Sequence, residues 1–431
     1  MPTYSPVPLT DHPAIPPLTL STARDRIAIM LSLGAYGKII REYEGNGLHT
    51  LNTGQTCNCS VRAVQLADGK LMADCLFTEN LELVRNNLFG NDATKSIRGF
   101  TKENDEFALG GQILYTNFTE RTAPDEHTIS MVVIADNLAY HKQANSTLKS
   151  IRFGITNLQF IGNKIKEYSH GGGGLHILVI ELAGRTIEIH EIEDYKNIIE
   201  SVKAQRGIDV TCEAVLEICS EDEVDSAIQL VDTLCKLLSF ARGTKINWIY
   251  YDCFDSRGEY ILSSHNNNVV WRYAGIPLID PRNPNDTAIF IEQAYPSYVS
   301  IQDKYSLGKS IEAYLDAKRE GVYLETRALV AAVLLDFLSG IYVGKEIRFR
   351  KRIKAMLLDL GITVSDNDLI KLTKIRNSLA HEASFIANIT KEYSDDYCFL
   401  ISILDRIFLK ILNYNGAFLD ITNKYNRINT I

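Results

Sequence analysis

Arg376, Asn377 and His381 fall in one short stretch, Arg376-Asn377-Ser378-Leu379-Ala380-His381. A cation, an amide and an imidazole at this spacing form a kit for handling a phosphodiester. Imidazole titrates near neutral pH and can take or give a proton. A guanidinium can hold a phosphate through two parallel hydrogen bonds and stabilise the charge that builds in the transition state. The amide can orient either group. Read alone, the motif is not specific, because a single histidine on a helix is usually structural or solvated. The surrounding elements must supply the context.

The stretch Ser365 to Phe385 predicts one helix. Ser365 suits the N-cap, and Asp366 and Asp368 stand in the first turn, where the helix dipole favours anions. Leu372, Ile375 and Leu379 share a stripe that should face a core. Asn377 and His381 are four apart and therefore lie on the opposite side, with Arg376 on the flank. Ile370 shares the Asn377 stripe, so that side is expected to be covered by a partner chain.

Around this helix the pattern is all helical. Ile301–Glu320, Tyr323–Ser339, Lys345–Leu360 and Ser394–Tyr414 read as helices with short connections, which makes a bundle. Lys345–Leu360 places Phe349, Ile353, Met356 and Leu357 on one face and Lys345, Arg348, Arg350, Lys351, Arg352 and Lys354 on the others. A charge run is ordinarily a solvated face. Here RFRKRIK is the one dense basic stretch in a chain of net charge −8. That charge creates no general attraction for nucleic acid, so an RNA site has to be a local patch. Arg348, Arg350, Lys351, Arg352, Lys354, Lys371 and Lys374 are the expected phosphate contacts.

The 431 residues suffice for two or three domains. Residues 1–20 hold six of the eleven prolines and read as an extended leader. Residues 21–165 are β-rich: Cys57, Cys59, Val61 and Ala63 alternate, Asp68-Gly69 signals a tight turn, and Leu71, Ala73, Cys75 and Phe77 alternate on the return. Further strand-like runs point to an antiparallel, sandwich-like region. Residues 166–275 read as α+β, with the helix Glu221–Phe240 packed on hairpins. Pro277, Pro281 and Pro284 mark 276–299 as a linker to the bundle at 300–431. The expected fold is thus α+β and multidomain.

Several other features are weaker. Cys57, Cys59 and Cys75 could share one inward face, where core packing outweighs a metal site. The run Gly171–Gly174 precedes a strand, not a helix, and so reads as a loop or boundary. Asp252, Asp255 and Glu259 read as a solvated hairpin end rather than a catalytic carboxylate pair. No small-molecule site is legible before residue 300. The eight cysteines form no CxxC pair, no secretory signal is visible, and the uninterrupted apolar run Ala328–Leu335 is too short for a bilayer. These features suit a reduced, cytoplasmic protein with no membrane partner.

With KIRNSLAHE on the penultimate helix of a C-terminal bundle, residues 300–425 resemble a HEPN domain, a family marked by Arg, a polar residue, three variable residues and His. Arg376, Asn377 and His381 fall on those positions. The middle region ending in LCKLLSFARGTKINWIYYDCFDSRGE, joined to such a bundle, is similar in layout to ApeA-like bacterial antiphage proteins. The resemblance implies metal-independent endoribonuclease activity, in which the neighbouring 2′-hydroxyl attacks and leaves a 2′,3′-cyclic phosphate. His381 would be general base or acid, Arg376 the phosphate anchor and Asn377 the orienting group. It also implies a homodimer with facing motif helices, tRNA as a frequent target, and an abortive-infection role in which the N-terminal regions sense a phage-derived trigger. The competing expectation is a non-catalytic adaptor whose bundle dimerises and whose β-domain binds a ligand. A carbohydrate-binding sandwich ranks last, for want of a row of exposed aromatic residues.

Overall fold

The computed structural model describes residues 33, 36–50, 54–87, 96–110, 114–123, 126–142, 147–167, 173–266, 277–382, 391–423 and 426–428. The expected leader and the first two glycines of the Gly171–Gly174 run lie outside this set. The chain is α+β and divides into two units: residues 1–143 with 264–267, and residues 144–263 with 268–431.

The first unit is built on a large antiparallel sheet. Its described strands are β1 (Ile39–Thr50), β2 (Thr56–Leu66), β3 (Leu71–Phe77), β4 (Ser96–Thr101), β5 (Glu106–Gly110), β6 (Leu114–Ala123), β7 (Glu126–Ala135) and β8 (Asn137–His141), with the short helix α1 (Leu81–Asn87) between β3 and β4. They hydrogen-bond in the continuous order β8-β5-β4-β1-β2-β3-β7-β6. The expected antiparallel β-rich region is thus present as a hydrogen-bonded array of these eight strands. The β2–β3 hairpin closes as its sequence dictates: Gly69 takes φ 85°, a left-handed value that costs glycine little, and the Lys70 amide donates to Asp68 Oδ1 at 3.1 Å. Cys57, Cys59 and Cys75 are all buried. The Cys59 thiol beside it, together with burial, pushes the Cys75 thiol well above its usual range. Among the described residues no three His, Cys, Asp or Glu side chains converge on a metal position.

A polar chain runs through this core. Tyr43 Oη lies 2.8 Å from His265 Nε2, and His265 Nδ1 lies 2.7 Å from Gln65 Oε1. Burial, assisted by the charge of Arg41, pulls the His265 imidazole down to about 3. The folded protein therefore binds its proton far more weakly than the unfolded chain, whose histidine titrates near 6.5. Stability from this group is fully present above pH 6.5 and is lost as pH falls toward 3, by up to about 4–5 kcal/mol in all. Urea melts between pH 7 and 4 should show this acid slope in the wild type. His265→Gln, which keeps a hydrogen-bonding side chain, should flatten it; an equal slope in both proteins would remove His265 as its source.

The second unit joins a sheet to a helical bundle. Its strands are β9 (Leu148–Thr156), β10 (Lys164–Glu167), β11 (Gly173–Leu182), β12 (Arg185–Glu191), β13 (Val210–Glu217), β14 (Trp248–Asp255) and β15 (Tyr260–Asn266), the last ending in the residues grouped with the first unit. The order β10-β11-β12-β13-β9-β14-β15 explains why the division falls at residue 143 and not at 165. Strand β9 pairs with β13 on one side and β14 on the other, so its ladder partners lie downstream. Gly154 on β9 leaves room for the Tyr250 ring, to which a Cβ there would approach within 2.2 Å. Asp252 accepts from Ser263 Oγ at 2.5 Å, and Asp255 accepts the Arg257 and Glu259 amides at 2.9 Å each. Both carboxylates are buried and serve the hairpin, in place of the solvated end expected.

Helices α2 (Tyr195–Gln205) and α3 (Val224–Arg242) belong to the sheet region, followed by α4 (Asp286–Ile301), α5 (Leu307–Lys318), α6 (Leu324–Val343), α7 (Phe349–Asp359), α8 (Asp366–Glu382) and α9 (Lys391–Ile411). The expected linker thus contains α4: Pro277, Pro281 and Pro284 precede it, while Pro296 is accommodated inside it. The sheet region and bundle also share a core. Phe240 of α3 lies 5.9 Å from Phe290, 4.9 Å from Tyr314 and 5.3 Å from Phe408, ring centroid to centroid, which brings α4, α5 and α9 onto the sheet's own helix. Such aromatic contacts add to a large apolar burial per ring.

Helix α6 is central to the bundle, in contact with α5, α7, α8 and α9. Among the described residues it is the one helix long and apolar enough by composition to cross a membrane. Counting uninterrupted apolar residues misses it because Asp336 breaks the run. Ala328, Ala331, Leu334, Leu335 and Leu338 are buried in the bundle, while Val333 and Phe337 of the same helix are exposed.

Candidate active site

The candidate site is carried by α8, with α6 and α7 beside it. A reciprocal cap starts α8: the Ser365 amide donates to Asp368 Oδ2 at 2.9 Å, and the Asp368 amide donates to Ser365 Oγ at 3.1 Å. Leu369, Leu372, Ile375 and Leu379 are buried, so the apolar stripe fixes the rotation of the helix. Asn377 and Lys374 are consequently exposed, and Ile370 on the same side is 37% exposed. The helix continues to Glu382, which puts His381 one turn beyond Asn377; the His381 side chain lies outside the described set.

Arg376 sits on the flank, about one-third exposed, between three neighbours. Its Nη1 donates to Asn377 Oδ1 at 3.1 Å. Its Nη2 lies 3.7 Å from Asp336 Oδ1 on α6, an ion pair too long for a hydrogen bond. Its Cζ is 5.7 Å from the centroid of the Phe349 ring at the start of α7. The guanidinium is thus held loosely on one side, and a hydrogen bond couples it to the second residue of the motif.

The seven expected phosphate contacts fall into three groups. Arg348, Arg350, Lys351 and Lys374 are exposed and lie on α7, just before it, or on α8. Lys354 and Lys371 are also accessible but form surface ion pairs, with Asp366 at 2.9 Å and Asp396 at 2.7 Å. Pairs of this kind contribute about 0–1 kcal/mol, so a phosphate can displace them.

Arg352 differs. It is 7% exposed, and its guanidinium is engaged by Asp336 Oδ1 at 2.5 Å, Ser339 Oγ at 3.1 Å, and the carbonyls of Lys345 and Ile347 at 3.3 and 3.1 Å. It pins the α6–α7 turn and presents nothing to an RNA. Its position on the amphipathic helix, three residues after Phe349 and four before buried Met356, is the sequence signal that separates it from its exposed neighbours.

Asp336 is the site residue that motif reasoning passes over. It is the one charged residue between Ala328 and Val343, and it meets both Arg352 and Arg376. A lone carboxylate in the otherwise uncharged run Ala328–Val343 of α6 was the available signal.

Comparison with curated proteins and with solved structures gives no match. Residues 143–276 match the family described as the YopA central domain. That stretch covers the sheet of the second unit with α2 and α3 and stops before α4, so the α6–α8 site lies outside the family match.

Proposed function

We propose that this chain is a HEPN-type endoribonuclease that cleaves RNA, with tRNA as the expected target, without a catalytic metal. The observation that carries this reading is the pairing of Arg376 with Asn377 on a helix bordered by the exposed cations of α7. In this mechanism Arg376 holds the scissile phosphate and Asn377 keeps the guanidinium in line. His381 takes the proton from the attacking 2′-hydroxyl or gives one to the leaving 5′-oxygen. Arg348, Arg350, Lys351 and Lys374 hold the flanking phosphates, and Lys354 and Lys371 join them by exchanging their carboxylates. A second copy covers the Ile370–Asn377 side, and the β-rich first unit receives a phage-derived trigger in an abortive response.

The test is cleavage of total bacterial tRNA by purified protein in excess chelator. The wild type should give 2′,3′-cyclic phosphate ends, and His381→Ala should lose about 10²–10⁴-fold in rate, the usual contribution of a positioned proton-transfer group. Equal cleavage by both proteins would assign the activity to a contaminant. A non-catalytic adaptor is the second reading, favoured by the carboxylate partners of Lys354 and Lys371. It expects no cleavage by either protein, with or without phage lysate.

A further inference from the structure

We infer that Asp336 is the positioning residue for Arg376 and couples it to the buried Arg352. This rests on the reading of Arg376 as phosphate anchor. Three observations support it. Asp336 places one carboxylate oxygen 2.5 Å from Arg352 Nη2 and 3.7 Å from Arg376 Nη2. Arg352 is itself immobilised by Ser339 and the Lys345 and Ile347 carbonyls, so the carboxylate it grips is a fixed point. The Phe349 ring lies 5.7 Å from the Arg376 guanidinium and 5.8 Å from that of Arg352, measured to the ring centroid. The anion and the ring therefore confine the charged end of Arg376, while the 3.7 Å separation leaves its N–H donors uncommitted on that side.

The division of labour follows from these distances. Arg352 takes the short contact and balances the Asp336 charge, so the carboxylate repels an incoming phosphate only weakly. Arg376 keeps its full charge and is restricted in direction before substrate arrives. A flexible arginine would otherwise lose that freedom during the reaction itself. Asp336 touches no reacting atom in this scheme; it acts through Arg376.

The experiment compares wild type, Asp336→Asn and Asp336→Glu as full-length proteins. Each is treated with phenylglyoxal, and arginine modification is followed by peptide mass spectrometry. Asn keeps an acceptor for Arg352 but removes the charge that restrains Arg376. Asp336→Asn should therefore raise the modification rate of Arg376 several-fold while Arg348 and Arg350 react as before. Asp336→Glu should restore most of the protection. An unchanged Arg376 rate, or an equal rise at all three arginines, would overturn the positioning role. In the cleavage assay Asp336→Asn should lower kcat about 10–100-fold, with a smaller change in KM. If the wild type cleaves no RNA the nuclease reading fails, yet the labelling comparison still decides whether Asp336 restrains Arg376.

Discussion

Lys318→Met should destabilise the second unit by about 3–5 kcal/mol, the cost of leaving a buried charge without its partner. Lys318 and Asp405 are 2% and 1% exposed, and they meet through Tyr314 in the middle of the bundle. Lys318 Nζ donates to Tyr314 Oη at 2.8 Å, Tyr314 Oη donates to Asp405, and the two charges are 3.7 Å apart. Burial pulls the Lys318 ammonium down against the pull of Asp405, and burial pushes the Asp405 carboxyl up against that of Lys318. Desolvation thus outweighs attraction at both ends, as for many buried ion pairs. Replacing the whole set with apolar groups, Lys318→Met with Tyr314→Phe and Asp405→Leu, should recover most of the lost stability, because no polar atom of the set is then stranded. Denaturant melts of the single and triple variants check both statements. A single variant as stable as wild type would show that water reaches the Asp405 carboxylate.

Arg376→Ala should reduce RNA cleavage by about 10²–10³-fold, the range seen when one preorganised charge-stabilising donor is removed. Arg376→Lys should recover little of it. Lysine keeps the charge but loses the planar fork that can bind a phosphate bidentately while still donating to Asn377. The residue lies about one-third exposed on a flank, so its loss should change the denaturation midpoint little. Rates measured beside thermal melts separate the two effects, and an Arg376→Ala protein of wild-type activity and normal fold would remove the phosphate anchor from the mechanism.

Helical periodicity carried much of the second unit. Leu372, Ile375 and Leu379 placed Asn377 on the outside, and the structure buries and exposes those residues as the stripe requires. Strand alternation and Asp68-Gly69 were likewise sufficient for the β2–β3 hairpin. Boundaries were less legible, because a domain edge depends on which strands pair. Leu148–Thr156 has the same local pattern as the strands before it, but its partners lie 54 to 107 residues downstream, beyond any window of periodicity. The prolines around α4 misled for a related reason: proline limits where a helix starts and does not prevent one from following. Within the basic stretch, composition could not distinguish Arg352 from Arg350. One lies over the core and the other over solvent, a difference carried by helix position and not by composition, and the Asp336, Ser339 and carbonyl partners give the first its structural duty. The Lys318–Tyr314–Asp405 set was illegible altogether, since its members come from helices 87 residues apart in sequence.

The aromatic core that joins α3 to α4, α5 and α9 also constrains how this chain can be inherited. A gene fragment starting at α4 would encode helices whose inward face still presents Phe290, Tyr314 and Phe408, with the Phe240 surface that covers them left behind. Such a fragment would be translated as a sticky, half-covered bundle rather than as a self-sufficient domain. Recombination that keeps the sheet and the bundle of the second unit together preserves this core, and an exchange of residues 1–143 would also have to match residues 264–267, which belong to the same unit.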